Sequence, residues 1–506
     1  MNRTDSRKQG LALFQKACLI LITGLFLFRA PSYAPDTEFI IGGFSSDTGI
    51  PVLMSNSDYF SPFSLYYWGQ DRFGSWPFLL FSMVGSPWSP LAIFLGMYIY
   101  LHLSLLVMLR NRSPLLLLAA LTLLHSWRPL GGFLFDIAQP YGWQLGSIFL
   151  GISLAEGKSK SWKKRVTLFI ISFLAIWLSP SSVLYLIAIP LIRIAILNRS
   201  WIYRALQGLK DSSPVILAYA AHSMMRRFVV NSNAASFYEE YETPLKWKAE
   251  LVAPAWNAVK SNIFQNWEIL LWVAGMIILM GALYSLLTGR GRRHVRMSIP
   301  ALALIAGSIL FLVSILPLNW FTLNQYGARY LALPRFLMLL GLLLFTGRWI
   351  INMSSTIVSI EPALRTIGSG SLSILILFAF WSNLPERKES AHYRDRLMIA
   401  RSLEQKYPGI PLLGNYWETY VYSALQTHRN LPQPGPGQYQ RTPFLLPAVL
   451  GADQLIVNHR GFPISSTESG APVKDFRFRG QQYVLVDSDI LNGSPLISVY
   501  RKLNRK

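Results

Sequence analysis

Apolar runs about as long as a bilayer's hydrocarbon core requires recur along this chain from Leu11 to Pro385. No other feature constrains the fold as strongly. Inside lipid every backbone N–H and C=O needs a partner from protein, and a helix supplies all of them within one segment. Reading the runs against the segments between them gives about eleven spans. They lie near 11–28, 89–109, 114–126, 141–156, 166–179, 181–197, 213–225, 267–288, 297–317, 331–347 and 369–385. The chain therefore reads as a mainly α, polytopic membrane protein.

The charge pattern agrees. Only 14% of residues are charged, where a soluble domain has about a quarter. A net charge of +22 would suit a nucleic-acid partner if it formed one basic patch. Instead the basic residues sit in short segments between apolar runs: Arg110 and Arg112; Lys163, Lys164 and Arg165; Arg199 and Arg204; Arg290, Arg292, Arg293 and Arg296. That is the positive-inside pattern, which excludes a nucleic-acid role and sets orientation. It predicts a multi-pass protein of the cell (inner) membrane with a cytoplasmic N-terminus. The lone cysteine, Cys18, cannot form a disulfide within the chain. "PSYAP" has some likeness to a signal-peptide cleavage site, but Arg29 separates it from the apolar stretch, so the first run is expected to stay as a span.

This orientation puts the long loops outside. The first runs from about 29 to 87, and the "WPFLLFSMVG" within it is too short to span and is expected as an interfacial helix. "LSPSS" is a Pro-containing turn that lets 166–197 go in and return as a hairpin. Residues 1–386 form the predicted transmembrane domain and 387–506 a small extracytoplasmic α/β domain. In the latter, "RDRLMIARSLEQKYPG" carries a helical stripe of Leu397, Ala400, Leu403 and Tyr407. "DQLIV", "QYVLVDS" and "LISVY" read as strands, and "LPQPGPGQYQ" as a loop.

The first outer loop holds Asp47, Asp58 and Asp71 among Tyr59, Tyr66, Tyr67, Trp68 and Trp76. A carboxylate at the lipid–water boundary can take a proton from an incoming hydroxyl or bind a metal. The rings suit headgroup anchoring and offer flat faces to sugars; an aromatic belt with solvated acids is the simpler reading of composition. His125, Arg128 and Asp136 flank a second outer loop and are candidates to line a cavity. His102, within a span, reads as a helix–helix partner.

The order of these features resembles the GT-C superfamily, integral membrane glycosyltransferases that use polyprenyl-phosphate-linked sugars, and within it the bacterial mannosyltransferase-like branch related to protein O-mannosyltransferases. "SDTGIPVLM" and "FSLYYWGQDRFGSW" fill the places of that family's acidic segment and first-loop aromatic run, "FLAIWLSPSSVLYLIAIPLI" its Pro-containing hairpin, and "YGARYLALPRFLMLLGLLLF" a late outer loop entering a span. The resemblance covers about residues 1–350. It implies a GT-C-like fold and an enzyme with Asp47 as leading catalytic acid. Asp71 is a second candidate that orients acceptor or sugar. Asp58, Tyr67, Gln70, Arg329, Tyr330 and Arg335 are candidate substrate-binding residues, the arginines for the lipid phosphate. Relatives often carry Asp-Glu where this chain has Asp47-Thr48, which leaves a divalent metal an open question. The implied partners are the bilayer, a polyprenyl-phosphate-linked sugar and an acceptor lipid, glycan or protein. The rivals are a transporter or flippase of lipid-linked glycans and a non-catalytic scaffold. No internal repeat of the kind transporters show is visible.

Overall fold

The computed structural model describes residues 46–55, 65–68, 73–82, 89–110, 114–126, 134, 136–156, 161–196, 200–231, 247–263, 266–288, 295, 298–356, 391–435, 442–459, 472–490 and 496–503, with isolated positions at 13, 17, 20, 21, 24 and 374. The expected spans at 11–28 and 369–385, and the expected boundary at 386, fall outside these residues apart from those isolated positions.

A short helix from the first loop, α1 (Ser46–Met54), precedes the bundle. The helices that follow are α2 (Ser89–Leu109), α3 (Pro114–Ser126), α4 (Tyr141–Glu156), α5 (Trp162–Leu178), α6 (Ser182–Ile196), α7 (Trp201–Asn231), α8 (Asn266–Thr288), α9 (Ile299–Ile315) and α10 (Ala332–Thr356). Each coincides with an expected span, but three run past it: α5, α7 and α10, the last to Thr356. The Ser161 side chain accepts from the Lys164 backbone N–H, so α5 begins among the lysines ahead of its apolar run. Similarly, α7 extends to 31 residues around an apolar stretch of about half that length. Apolar pattern marks where lipid begins; backbone hydrogen bonding, which sets helix length, continues beyond it.

Among the described residues three helical segments are long and apolar enough to cross a membrane: Ala92–Leu109, Glu268–Thr288 and Ala328–Gly347; α6 and α9 are apolar but shorter. On α8, Leu270, Val273, Ile277, Met280, Leu283 and Leu287 are exposed, as a lipid-facing helix requires. Its one early acid, Glu268, turns inward and meets Arg335 of α10 at 2.5 Å, both side chains buried.

The α5–α6 hairpin forms at the Pro-containing turn as the sequence implies. Ser182 Oγ donates to the Ala175 carbonyl, and Gln144 Nε2 of α4 donates to Ser181 and Ser182 at 3.0 Å each. The first loop clamps this tip. Trp177 Nε1 donates to the Leu65 carbonyl at 2.7 Å and Trp76 Nε1 to the Leu174 carbonyl at 3.2 Å. Gly74 sits so close that a Cβ there would lie 2.4 Å from the Trp177 carbonyl oxygen. Gly74→Ala is therefore expected to destabilise the protein by about 1–3 kcal/mol, read as a lower thermal midpoint in detergent. An unchanged midpoint would mean that the loop does not dock on the hairpin.

At "WPFLLFSMVG", where an interfacial helix is expected, residues 83–85 lie outside the described residues. Only Trp76–Leu79 is helical there among the described residues, and Phe78 is buried. Trp76 packs edge-on against Trp143 and Tyr100, while Leu80 is exposed.

The C-terminal region forms a six-stranded sheet in the order β2-β1-β3-β6-β5-β4. Its strands are β1 (Leu412–Gly414), β2 (Pro432–Pro434), β3 (Gln454–Asn458), β4 (Asp475–Phe478), β5 (Gln481–Ile490) and β6 (Leu496–Lys502). β1 runs parallel to β2 and β3, and the rest pair antiparallel. The expected strands are β3, β5 and β6. The loop expected at "LPQPGPGQYQ" is corrected, because it carries β2. Proline cannot donate to a ladder, which argues against a central strand, but β2 lies at the sheet edge where that loss is tolerated. Helix α11 (Ala391–Lys406) buries the expected stripe of Leu397, Ala400 and Leu403. Helix α12 (Tyr416–Ala424) follows β1, its first turn capped by the Asn415 side chain on the Trp417 N–H.

Candidate functional site

Asp47 lies in the first turn of α1. That turn is fixed from two sides. Tyr67 of the same loop donates its hydroxyl to the Asp47 carbonyl at 2.7 Å. Tyr416, at the start of α12, donates to Asp47 Oδ1 at 2.9 Å. The two helices approach closely at Gly49, where a Cβ would lie 3.0 Å from the Tyr420 carbonyl oxygen. A larger residue at 49 would push the C-terminal domain away from Asp47.

Asp136 stands in the turn before α4. Its Oδ1 accepts from the Ala138 backbone N–H at 2.8 Å, a local turn that fixes the carboxyl. Dense protein surrounds it, although by area the side chain is only half-buried. Burial pushes this carboxyl up to about 7; the Ala138 hydrogen bond pulls it down, the neighbouring Asp47 raises it further, and Arg329 opposes the rise. Asp136 thus shares one electrostatic neighbourhood with Asp47 and Arg329.

Arg329 is delivered by the connection between α9 and α10. Gln325 and Tyr326 both adopt left-handed backbone, at φ 52° and 54°. Side chains disfavour that region by about 1–2 kcal/mol per residue. The turn is held by the Tyr326 N–H on the Phe321 carbonyl and by edge-on packing of the two rings. Arg329 Nη2 then donates to the Tyr330 hydroxyl at 2.9 Å, which donates to Asn324 Oδ1 at 2.8 Å. Arg329 also interacts electrostatically with Asp47 and Tyr141.

Of the residues singled out in the sequence, Asp47, Tyr67, Arg329 and Tyr330 thus gather at one end of the bundle. Asp58, Gln70 and Asp71, together with Arg128 and the His125 side chain, lie outside the described residues. Arg335 points to Glu268 instead. His102 caps into its own helix, its Nδ1 at 2.6 Å from the Tyr98 carbonyl. Arg226 and Arg227 belong to α7. In the sequence Asp136 is one cavity candidate among several, and Tyr416 carries no mark of a role. No sequence signal links it to Asp47, because they are 369 positions apart. Among the described residues no group of three or more His, Cys, Asp or Glu side chains gathers.

The helical bundle, with a first-loop acid at its end and a C-terminal sheet domain seated on that loop, shares its fold with a solved structure, in agreement with the GT-C-like fold expected from the sequence. The chain is similar to ArnT from Cupriavidus metallidurans in the apo state at 12% identity and a TM-score of 0.51, over 96% of this chain and 98% of that one. It is also similar to the oligosaccharyltransferase AglB from Archaeoglobus fulgidus in complex with an inhibitory peptide and a dolichol-phosphate, at 11% identity and a TM-score of 0.44, over 88% of this chain and 69% of that one. No protein-family model and no curated protein sequence matches the chain.

Proposed function

We propose that the protein transfers a sugar from a polyprenyl-phosphate-linked donor to a hydroxyl on an extracytoplasmic acceptor lipid, glycan or protein. The observation that carries this reading is the grouping of Asp47, Asp136 and Arg329 at one end of a GT-C-fold bundle. In this reading the acceptor oxygen forms a bond to the anomeric carbon as the bond from that carbon to the phosphate oxygen breaks. Asp47 takes the acceptor's proton, and the lipid phosphate leaves with the electron pair, its charge met by Arg329. Tyr330 and Asn324 hold the Arg329 guanidinium in place. Asp136 supplies the second acid that Thr48 does not. A divalent cation, should the reaction use one, would be held by Asp47 and Asp136 and would polarise the phosphate.

The active end faces outward, with residues 1–386 as the membrane domain and 387–506 as the extracytoplasmic one. Asp71, Gln70 and Asp58 stay as candidates to orient donor or acceptor. Arg335, committed to Glu268, is assigned to the bundle and not to the phosphate. Mass spectrometry of envelope glycolipids and glycoproteins from a deletion strain tests the proposal. Loss of one sugar would name donor and acceptor class, whereas an unchanged envelope would favour a transporter or a scaffold.

A carboxyl near 7 also makes the reaction pH-sensitive. Asp136 gains its proton as pH falls through about 7, so transfer that needs its charge falls in the same window. Asp136→Asn is expected to slow transfer by about 10²-fold at pH 8 and to flatten that acid limb. A rate profile from pH 5.5 to 8.5 on membrane vesicles, with the limb intact in the variant, would exonerate Asp136.

A further inference from the structure

We infer that Tyr416 is a positioning residue for Asp47, and that the C-terminal sheet domain completes the active site by delivering it; this rests on the reading of Asp47 as the acid/base group. The hydroxyl donates to Asp47 Oδ1 at 2.9 Å. The phenol itself is held. Tyr416 is 3% exposed, and Trp417 and Tyr420 meet its ring edge-on at centroid distances of 5.1 and 5.4 Å. The Asn415 cap fixes the first turn of α12 on which it stands. A second contact, Trp68 against Phe444 at 5.3 Å, pins the same loop to the same domain.

The consequence is orientational. With its carbonyl anchored by Tyr67 and Oδ1 engaged by Tyr416, the Asp47 carboxylate has one rotamer, and Oδ2 is the oxygen expected to receive the acceptor's proton. Loss of the hydroxyl leaves the ring packing in place and frees the carboxylate to rotate.

Tyr416→Phe in the full-length chain tests this in membrane vesicles, with envelope lipid extract from the deletion strain as source of donor and acceptor. The expected result is a kcat lower by about 10-fold with KM for the donor unchanged. The double variant Asp47→Asn/Tyr416→Phe should be no slower than Asp47→Asn alone, because residues acting through one another are not additive. A Tyr416→Phe rate equal to wild type, with Asp47→Asn inactive, overturns the positioning role. So does a double variant in which the two losses multiply. Full turnover by Asp47→Asn overturns the underlying reading of Asp47 instead, and the two failures are thereby distinguished.

Discussion

Replacing Asp47 by asparagine is expected to lower sugar transfer by about 10³-fold while the protein stays folded. The amide keeps the size of the carboxylate and an oxygen to accept from Tyr416, so the contacts that hold α1 between Tyr67 and α12 survive. What it cannot do is take a proton. Charge is lost as well: Asp136 and Arg329 both interact with Asp47, so the variant alters the field as well as the base. Turnover measured in vesicles and the thermal midpoint in detergent separate the two properties. A scaffold would be indifferent to this single-atom exchange, and a rate within a few-fold of wild type would sink the enzymatic role of Asp47.

The second large effect concerns stability. Glu268→Ala is expected to destabilise the fold by about 3–5 kcal/mol, because it leaves the Arg335 guanidinium buried without its counter-charge. The pair joins α8 to α10 at 2.5 Å with side chains 2% and 5% exposed. Most of α8 offers only apolar surface to its surroundings, so little else would stabilise the stranded cation. Arg335 Nε already lacks a hydrogen-bond partner among the described residues, so the pair is close to its limit of satisfaction. Glu268→Leu with Arg335→Met removes both charges and should recover most of the loss, as buried pairs replaced by apolar residues often do. Thermal unfolding of the three proteins in one detergent decides it; a neutral Glu268→Ala would show that the pair does not hold the helices. The double variant also separates fold from chemistry at Arg335. If it transfers sugar at the wild-type rate, Arg335 has no part in holding the lipid phosphate.

These two sites show how unevenly the sequence reveals its structure. Glu268 is visible as an early acid in an apolar helix, and Arg335 as a cation near the start of another. Nothing in either segment says that they face each other. The same holds for Asp136, one of several polar residues in a short loop until α4 folds it towards Asp47. Tyr416 is the extreme case, because its helix belongs to a separate sheet domain. The strand at Pro432–Pro434 was hidden for a different reason: its prolines oppose a ladder, and only an edge position makes them acceptable.

Local physics therefore determined the helices and their class. Lipid forces each apolar run to satisfy its own backbone, so run length, flanking lysines and arginines and the Pro-containing turn predicted α2 to α10 without any knowledge of neighbours. The tertiary structure decided which polar groups share a site. A carboxylate's neighbours are set by packing between elements hundreds of residues apart, at contacts as particular as Gly49 against Tyr420. Periodicity along the chain carries no record of them.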